Sequence, residues 1–372
     1  MAYYSIFPEK DSTLYSHPDR LEMNTGNDEI LELVKEKGSN NDHYYPSRIL
    51  VKFKDEEIKN AFTKAPSNVK VSASLQLFST EHQNLASNIE IEAYPVSESW
   101  DEGTGKFSNL PTSSNGCTWL YRDNSIRTTK WKNTGFFSYS SGSIESDIIP
   151  AGGGTWYTEN PINSNDKLKS SQSFSNADIL DLNLDVSTAV TLMNRDALEN
   201  QGFIVKYKDS IETYTSSSKG YLQFFSADTH TIYPPKLTFK WDDSVYIDEA
   251  TENAKFTGEL SVSLYRNKKE YNQNDEALIR LHVRDKYPNR SFTTSSNYLE
   301  PGYFTKNSYY SIRDANTEEV IIPFDDNCTK LSADNESMFF KLYMKGLQPE
   351  RYYRILFKHI NNDGTQIYDD NY

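Results

Sequence analysis

Glu98, Asp101 and Glu102 flank Trp100, a carboxylate set around an aromatic ring that resembles a sugar-cleaving site. Glycoside hydrolysis needs two carboxyl groups facing each other across the scissile bond. One local cluster does not by itself supply that opposed pair, and the plainer reading is a solvated, turn-forming acidic loop. Trp119, Trp131, Trp156 and Tyr157 follow Trp100 along the chain. Aromatic faces of this kind stack on sugar rings through flat apolar area with a polar rim. They equally serve contacts between subunits, where aromatic residues are enriched. Trp100, Trp119, Trp131, Trp156 and Tyr157 are therefore expected as glycan or interface contacts, with the interface preferred.

Other chemistries find less support. Asp242, Asp243 and Asp248 are hard oxygen ligands, which leaves calcium as the one cofactor to weigh. The six histidines, His17, His43, His82, His230, His282 and His359, stand without a His or Cys partner at zinc-ligand spacing. No Gly-x-Ser-x-Gly elbow is present for a nucleophilic serine. Gly152-Gly153-Gly154 lacks the Gly-Lys-Ser/Thr of a phosphate loop and reads as a flexible turn. No catalytic, cofactor-binding or metal residue is assigned, and a non-enzyme is expected.

The elements that must position these residues are strands. Residues 48–53 alternate, with Ile49, Val51 and Phe53 on one face and Arg48, Leu50 and Lys52 on the other. Leu50, an apolar residue on that second face, predicts a strand covered on both sides. Residues 30–33, 73–78, 89–94, 202–207, 221–225 and 237–241 carry similar patterns. Residues 55–64 and 185–193 read as helices, with Asp55 and Asp185 as caps. From 101 to about 172 the chain is rich in Ser, Gly, Asn and Thr and anchored by aromatic residues, including Phe136 and Phe137. This predicts a long, partly ordered insertion pinned by rings. Beyond an acidic stretch at 242–253, six short strand patterns with turns between them predict a second, smaller Ig-like sandwich. The expected organisation is all-β: a jelly-roll-like β-sandwich over 1–245, then an Ig-like β-sandwich over 246–372.

Composition agrees with strands. The 372 residues include 26 Tyr, 19 Phe and 5 Trp, a bulk that disordered chains lack, although mean hydropathy is −0.73. A net charge of −14 argues against direct nucleic-acid or anionic-membrane partners. Two distant cysteines, Cys117 and Cys328, exclude a disulfide framework. The N-terminal residues lack a basic region followed by an apolar one, so no secretory signal is expected. The sequons at Asn289, Asn327 and Asn335 read as chance.

The order of motifs carries a resemblance. Residues 11–15, Asn24-Thr25-Gly26, Ile30-Leu31-Glu32-Leu33, the run Ser47 to Phe53, residues 73–78 and Tyr94-Pro95-Val96 with Ser99-Trp100 come first. Cys117-Thr118-Trp119, Asp185-Val186, Gly202-Phe203-Ile204 and the run Pro235 to Phe239 complete the series. Over about residues 1–245 the chain resembles the DNRLRE family of β-sandwich modules. The resemblance implies a non-catalytic module similar to carbohydrate-binding modules, usually of secreted or surface proteins. The missing signal, the aromatic insertion and the appended sandwich instead resemble a virion structural protein of contractile-tailed, cyanophage-like bacteriophages. That likeness implies a neck, tail or head-decoration (capsid) protein, assembled in the host cytoplasm and docked to other virion proteins. A homo-oligomer in a ring or repeated array is expected. The alternatives are a carbohydrate-binding adhesin for host-surface glycan, resting on the tryptophans, and a polysaccharide depolymerase, resting on Glu98, Asp101 and Glu102.

Overall fold

The computed structural model describes residues 2–38, 43–83, 89–107, 114–126, 129–132, 152–161, 163–174, 181–212, 220–247, 259–287, 302–361 and 364–370. The chain is all-β, built of antiparallel sheets consistent with sandwich packing. It divides into two compact units: a larger one of Ile6–Phe62 and Ser72–Thr238, and a smaller one of Met1–Ser5, Thr63–Val71 and Phe239–Tyr372. The change-over at Thr238 and Phe239 falls inside a strand, ahead of the acidic stretch, and two short early pieces group with the later residues. Local periodicity carries no information on such non-contiguous membership.

In chain order, β1 (Ala2–Ile6) leads into the larger unit. There β2 (Lys10–Tyr15), β3 (Ile30–Lys37), β4 (Tyr44–Lys52), α1 (Asp55–Lys64), β5 (Ser72–Leu77), β6 (Ser79–Gln83) and β7 (Ile89–Pro95) follow. After the insertion come β8 (Ser170–Phe174), β9 (Leu182–Asp185), α2 (Ser187–Asn194), β10 (Phe203–Tyr207), α3 (Asp209–Glu212) and β11 (Tyr221–Phe225). Strand β12 (Lys236–Trp241) leads out again. The main sheet has the order β6-β11-β3-β4-β10-β7-β8, with β2 also on β4, and curls into a half-barrel. Strand β4 is its pivot. Its residues 44–46 pair with β3, 47–52 pair with β2, and 49–51 pair with β10 along the opposite edge.

Both faces of β4 are buried from Tyr45 to Val51, as the apolar Leu50 predicts. The charged Arg48 shares that burial. Helices α1 and α2 lie where the periodicity puts them, but their caps differ. Asp55 is the first helical residue, and its carboxylate accepts from Asn200 Nδ2 at 2.8 Å. The backbone cap of α2 is Val186, while Asp185 Oδ1 accepts from Ser187 N–H at 3.0 Å. Strands β1, β6 and β8 lack a strong alternation, and β9 alternates over only four residues, Leu182–Asp185.

The smaller unit continues with β13 (Leu260–Tyr265), β14 (Glu276–Asp285), β15 (Ser308–Asp314), β16 (Val320–Ile322), β17 (Ser332–Ala333), β18 (Met338–Tyr343), β19 (Tyr353–Asn361) and β20 (Gly364–Tyr368). These form two four-stranded antiparallel sheets, β13-β14-β18-β17 and β16-β15-β19-β20. Alternate residues of each sheet meet in one core: Val262, Leu281, Met338 and Phe340 from the first, Tyr310, Ile312, Ile355 and Phe357 from the second. The rings of Tyr310 and Phe340 stack across it at 4.0 Å. This two-sheet packing over alternating residues is the sandwich that the regularly spaced short strands predict.

Candidate functional site

Described residues of the insertion close over one face of the curled sheet. Trp100, Trp119, Trp131 and Trp156 are all buried, in one cluster with Leu14, Leu50, Tyr94, Cys117 and Ile204. Two indole N–H groups are satisfied by backbone: Trp100 Nε1 donates to Gln201 O and Trp131 Nε1 to Thr118 O, each at 2.9 Å. These four tryptophans, expected as glycan or interface contacts, are placed inside the chain's own core. Their apolar area is spent on the sheet and on one another, and a sugar would have to displace that packing to reach them. Tyr157 is only partly buried, and its N–H donates to Pro95 O at 2.9 Å. Phe136 and Phe137 lie outside the described residues.

Beneath the tryptophans sits a charged cluster. Arg48, on β4, donates from Nε to Glu212 Oε1 at 3.1 Å and from Nη2 to Glu212 Oε2 at 2.8 Å. Its Nη1 donates to Gly153 O at 2.8 Å. The guanidinium lies 4.7 Å from the ring of Trp119 and 5.1 Å from that of Trp156, within cation–π range. Lys206, fully buried on β10, donates to Tyr207 O at 2.8 Å and Asp209 Oδ1 at 2.6 Å. Its ammonium is also 3.4 Å from Glu212 and 4.0 Å from Glu92. Glu92 in turn accepts from Lys169 Nζ and from the Tyr94 hydroxyl, each at 2.9 Å. Three cations thus meet three carboxylates: Arg48, Lys206 and Lys169 against Glu212, Asp209 and Glu92.

The electrostatics are balanced. Partial burial pushes the Asp209 carboxyl up, but the Lys206 ammonium outweighs it and holds the group below the usual carboxylate range. Burial raises the Tyr94 and Tyr207 hydroxyls, and the carboxylates of Glu92 and Glu212 respectively add to it. Both phenols stay neutral donors.

The triple glycine clasps this cluster. Gly153 adopts φ +72°, its N–H donates to Trp119 O at 2.7 Å, and a Cβ there would lie 2.7 Å from Arg48 Nη1. Only glycine fits that approach.

The carboxylates around Trp100 separate into different roles. Glu98 accepts from Lys132 N–H at 2.8 Å and lies 3.9 Å from Arg122 Nε. Asp101 is exposed. Glu102 Oε1 accepts from Asp11 N–H at 3.0 Å, and burial raises its carboxyl to about 7. Asp11 is fully buried; Ala227 N–H donates to its Oδ2 at 2.7 Å, and Oδ1 has no hydrogen-bond partner among the described residues. Burial also raises Asp11 well above the carboxylate range, with the charges of Glu102 and Asp228 adding to the effect. Lys10 Nζ donates to Trp100 O and stands 4.3 Å over that ring. These groups fasten β2 to the start of the insertion.

Of the calcium candidates, Asp242 Oδ1 accepts from the Ser244 hydroxyl at 2.7 Å and its Oδ2 lies 3.5 Å from Lys330. Asp248 lies outside the described residues. Among the described residues no group of three or more His, Cys, Asp or Glu side chains is placed to hold a metal.

Alternation along β4 and β10 sends Arg48 and Lys206 to a face without saying what covers it. The available signal is a cation inside a strand of apolar neighbours, Arg48 before Ile-Leu-Val in β4 and Lys206 as the one charge of β10, with Glu90 and Glu92 in neighbouring β7. No protein-family model matches the chain and no curated protein shows significant similarity to it, so the reading of this cluster rests on its own geometry.

Proposed function

We propose that the chain is a non-catalytic structural building block that docks to neighbouring subunits of a larger particle. The observation that carries this reading is the buried Arg48–Glu212 pair, with Lys206 beside it, under four buried tryptophans. These three buried charges are directed at one another and at other protein groups, which keeps their burial tolerable and ties the fold together. The DNRLRE-like order of motifs, departing from that family in its aromatic insertion and appended second sandwich, supports a tailed-phage virion as the particle, with a neck, tail or head-decoration position. Burial of the four tryptophans favours this reading over the sugar-binding alternative, and the separate contacts of Glu98 with Lys132 and of Glu102 with Asp11 favour it over the depolymerase alternative. Mass spectrometry of gradient-purified particles, paired with immuno-electron microscopy, tests the proposal. The chain is expected as a stoichiometric particle component; its absence from particles would overturn the reading.

A further inference from the structure

Strand β20 ends the β16-β15-β19-β20 sheet, and among the described residues no strand pairs with its outer edge. Its sequence, Gly-Thr-Gln-Ile-Tyr, holds no charge and no proline. Its register with β19 runs without a bulge from Phe357↔Tyr368 to Asn361↔Gly364. Open edges are ordinarily blunted by charge, proline, a bulge or shortness, because unpaired N–H and C=O groups template another strand. Shortness protects β16 and β17, of three and two residues. Nothing comparable protects β20. Its first four residues are exposed, and Ile367, at 58% exposure, faces outward beside Lys358. Tyr368 turns the other way and stacks on Phe304 at 5.3 Å, which fixes the strand's orientation.

We infer that β20 adds antiparallel to β20 of a second copy of this chain, with Ile367 opposite Ile367. This names a docking contact for the building block proposed above and rests on that reading. The exposed apolar side chain selects the register. Pairing centred on Gln366 would set Ile367 against Thr365 of the other copy and keep the two Ile367 side chains apart. Pairing centred on Ile367 sets Thr365 against Asp369, Gly364 against Asp370 and Gln366 against Tyr368, with no carboxylate facing another. The same register buries the exposed Ile367 side chains against each other. Asp369 is already engaged by Arg354 at 2.6 Å, so its charge is partly neutralised. A five-residue edge buries less than the roughly 1,200 Å² of a standard interface. The contact is therefore weak alone and effective where copies are held close together, as in a ring or array.

Sedimentation velocity of the full chain over a concentration series, with cysteine cross-linking, tests this. Directly opposed residues in an antiparallel pair have Cα atoms about 4.5–5.5 Å apart, within the roughly 4.4–6.8 Å that a disulfide spans. Ile367→Cys is expected to give an oxidised dimer. Thr365→Cys is expected to give none, because the two copies of residue 365 lie four residues, about 14 Å, out of register. Both native cysteines are buried and give no background. Ile367→Lys is expected to weaken association about tenfold at an unchanged melting temperature. Added salt is expected to strengthen association, since each copy carries a charge of −14. A monomer at every concentration would overturn the inference, as would equal cross-linking of Thr365→Cys, no effect of Ile367→Lys, or dissociation by salt. Particle incorporation without the Ile367→Cys cross-link would remove this contact alone. Cross-linking of a chain absent from particles would remove the particle reading alone.

Discussion

Arg48 and Glu212, 164 positions apart in the chain, form a two-point ion pair in which each side chain is 1% exposed. It joins central strand β4 to the short helix α3 after β10. Charges buried this deeply are costly unless both partners remain. Glu212→Ala is expected to destabilise the larger unit by about 3–5 kcal/mol, because it strands a buried guanidinium. The double change Arg48→Met with Glu212→Leu is expected to cost far less, since it removes both charges and keeps volume. Chemical-denaturation midpoints of the three proteins check this; equal losses for the single and double variants would refute it.

The same pair marks where the sequence is legible. The alternation at 48–53 predicts β4, and the apolar Leu50 predicts cover on its second face. Both follow from period-two burial, which is a local property. The cover itself is non-local: Trp119, Trp131 and Trp156 come from a stretch with no periodicity, and Glu212 from beyond β10. Aromatic rings in a Ser- and Gly-rich insertion signal anchoring, but not whether they anchor inward or offer a surface. The glycine triplet is legible as a turn. Its carbonyl's role as an acceptor for Arg48 depends on tertiary placement alone.

Glu102 introduces a pH dependence. Its carboxyl is raised to about 7 by burial, from an ordinary value of 4.5. The folded chain therefore keeps a proton that the unfolded chain releases. The sign follows: this stabilisation is complete below pH 4.5 and lost as pH rises to about 7. Asp11, also raised by burial, acts in the same direction. Stability of the larger unit is expected to decline across that window, and Glu102→Gln to make the decline shallower. Thermal melting between pH 4 and 8 reads it, and parallel slopes for the two proteins would count against the assignment.

His359 acts with the opposite sign in the smaller unit. The ring is buried, stacks on Phe304 at 4.7 Å, and accepts the Thr305 N–H at Nε2 over 3.2 Å. Its Nδ1 is buried without a hydrogen-bond partner among the described residues. Burial lowers its proton affinity below the ordinary 6.5, so the unfolded chain protonates first. Stability of this unit is expected to fall as pH drops below 6.5. His359→Phe is expected to lower stability at neutral pH, through loss of the Thr305 acceptor, yet to flatten the acid slope. Retention of the full slope in that variant would assign it to other groups.

The two cysteines provide a separate reporter for each unit. Cys117 lies in the larger unit, among the tryptophans, and Cys328 lies in the core of the smaller. Both are fully buried, and burial pushes each thiol up to about 12. Alkylation requires the thiolate and access to it, so near pH 8 neither residue is expected to react in the folded chain. Reaction then requires opening of the surrounding core, and its rate follows the open population when reclosing is fast. Iodoacetamide labelling at rising denaturant, read by peptide mass spectrometry, is expected to give one transition for each cysteine. Glu212→Ala should move the Cys117 transition to lower denaturant and leave that of Cys328 in place, because only the larger unit holds the Arg48 pair. Rapid labelling of Cys117 without denaturant would show that the insertion does not seal the sheet. Movement of both transitions together would show that the two units unfold as one.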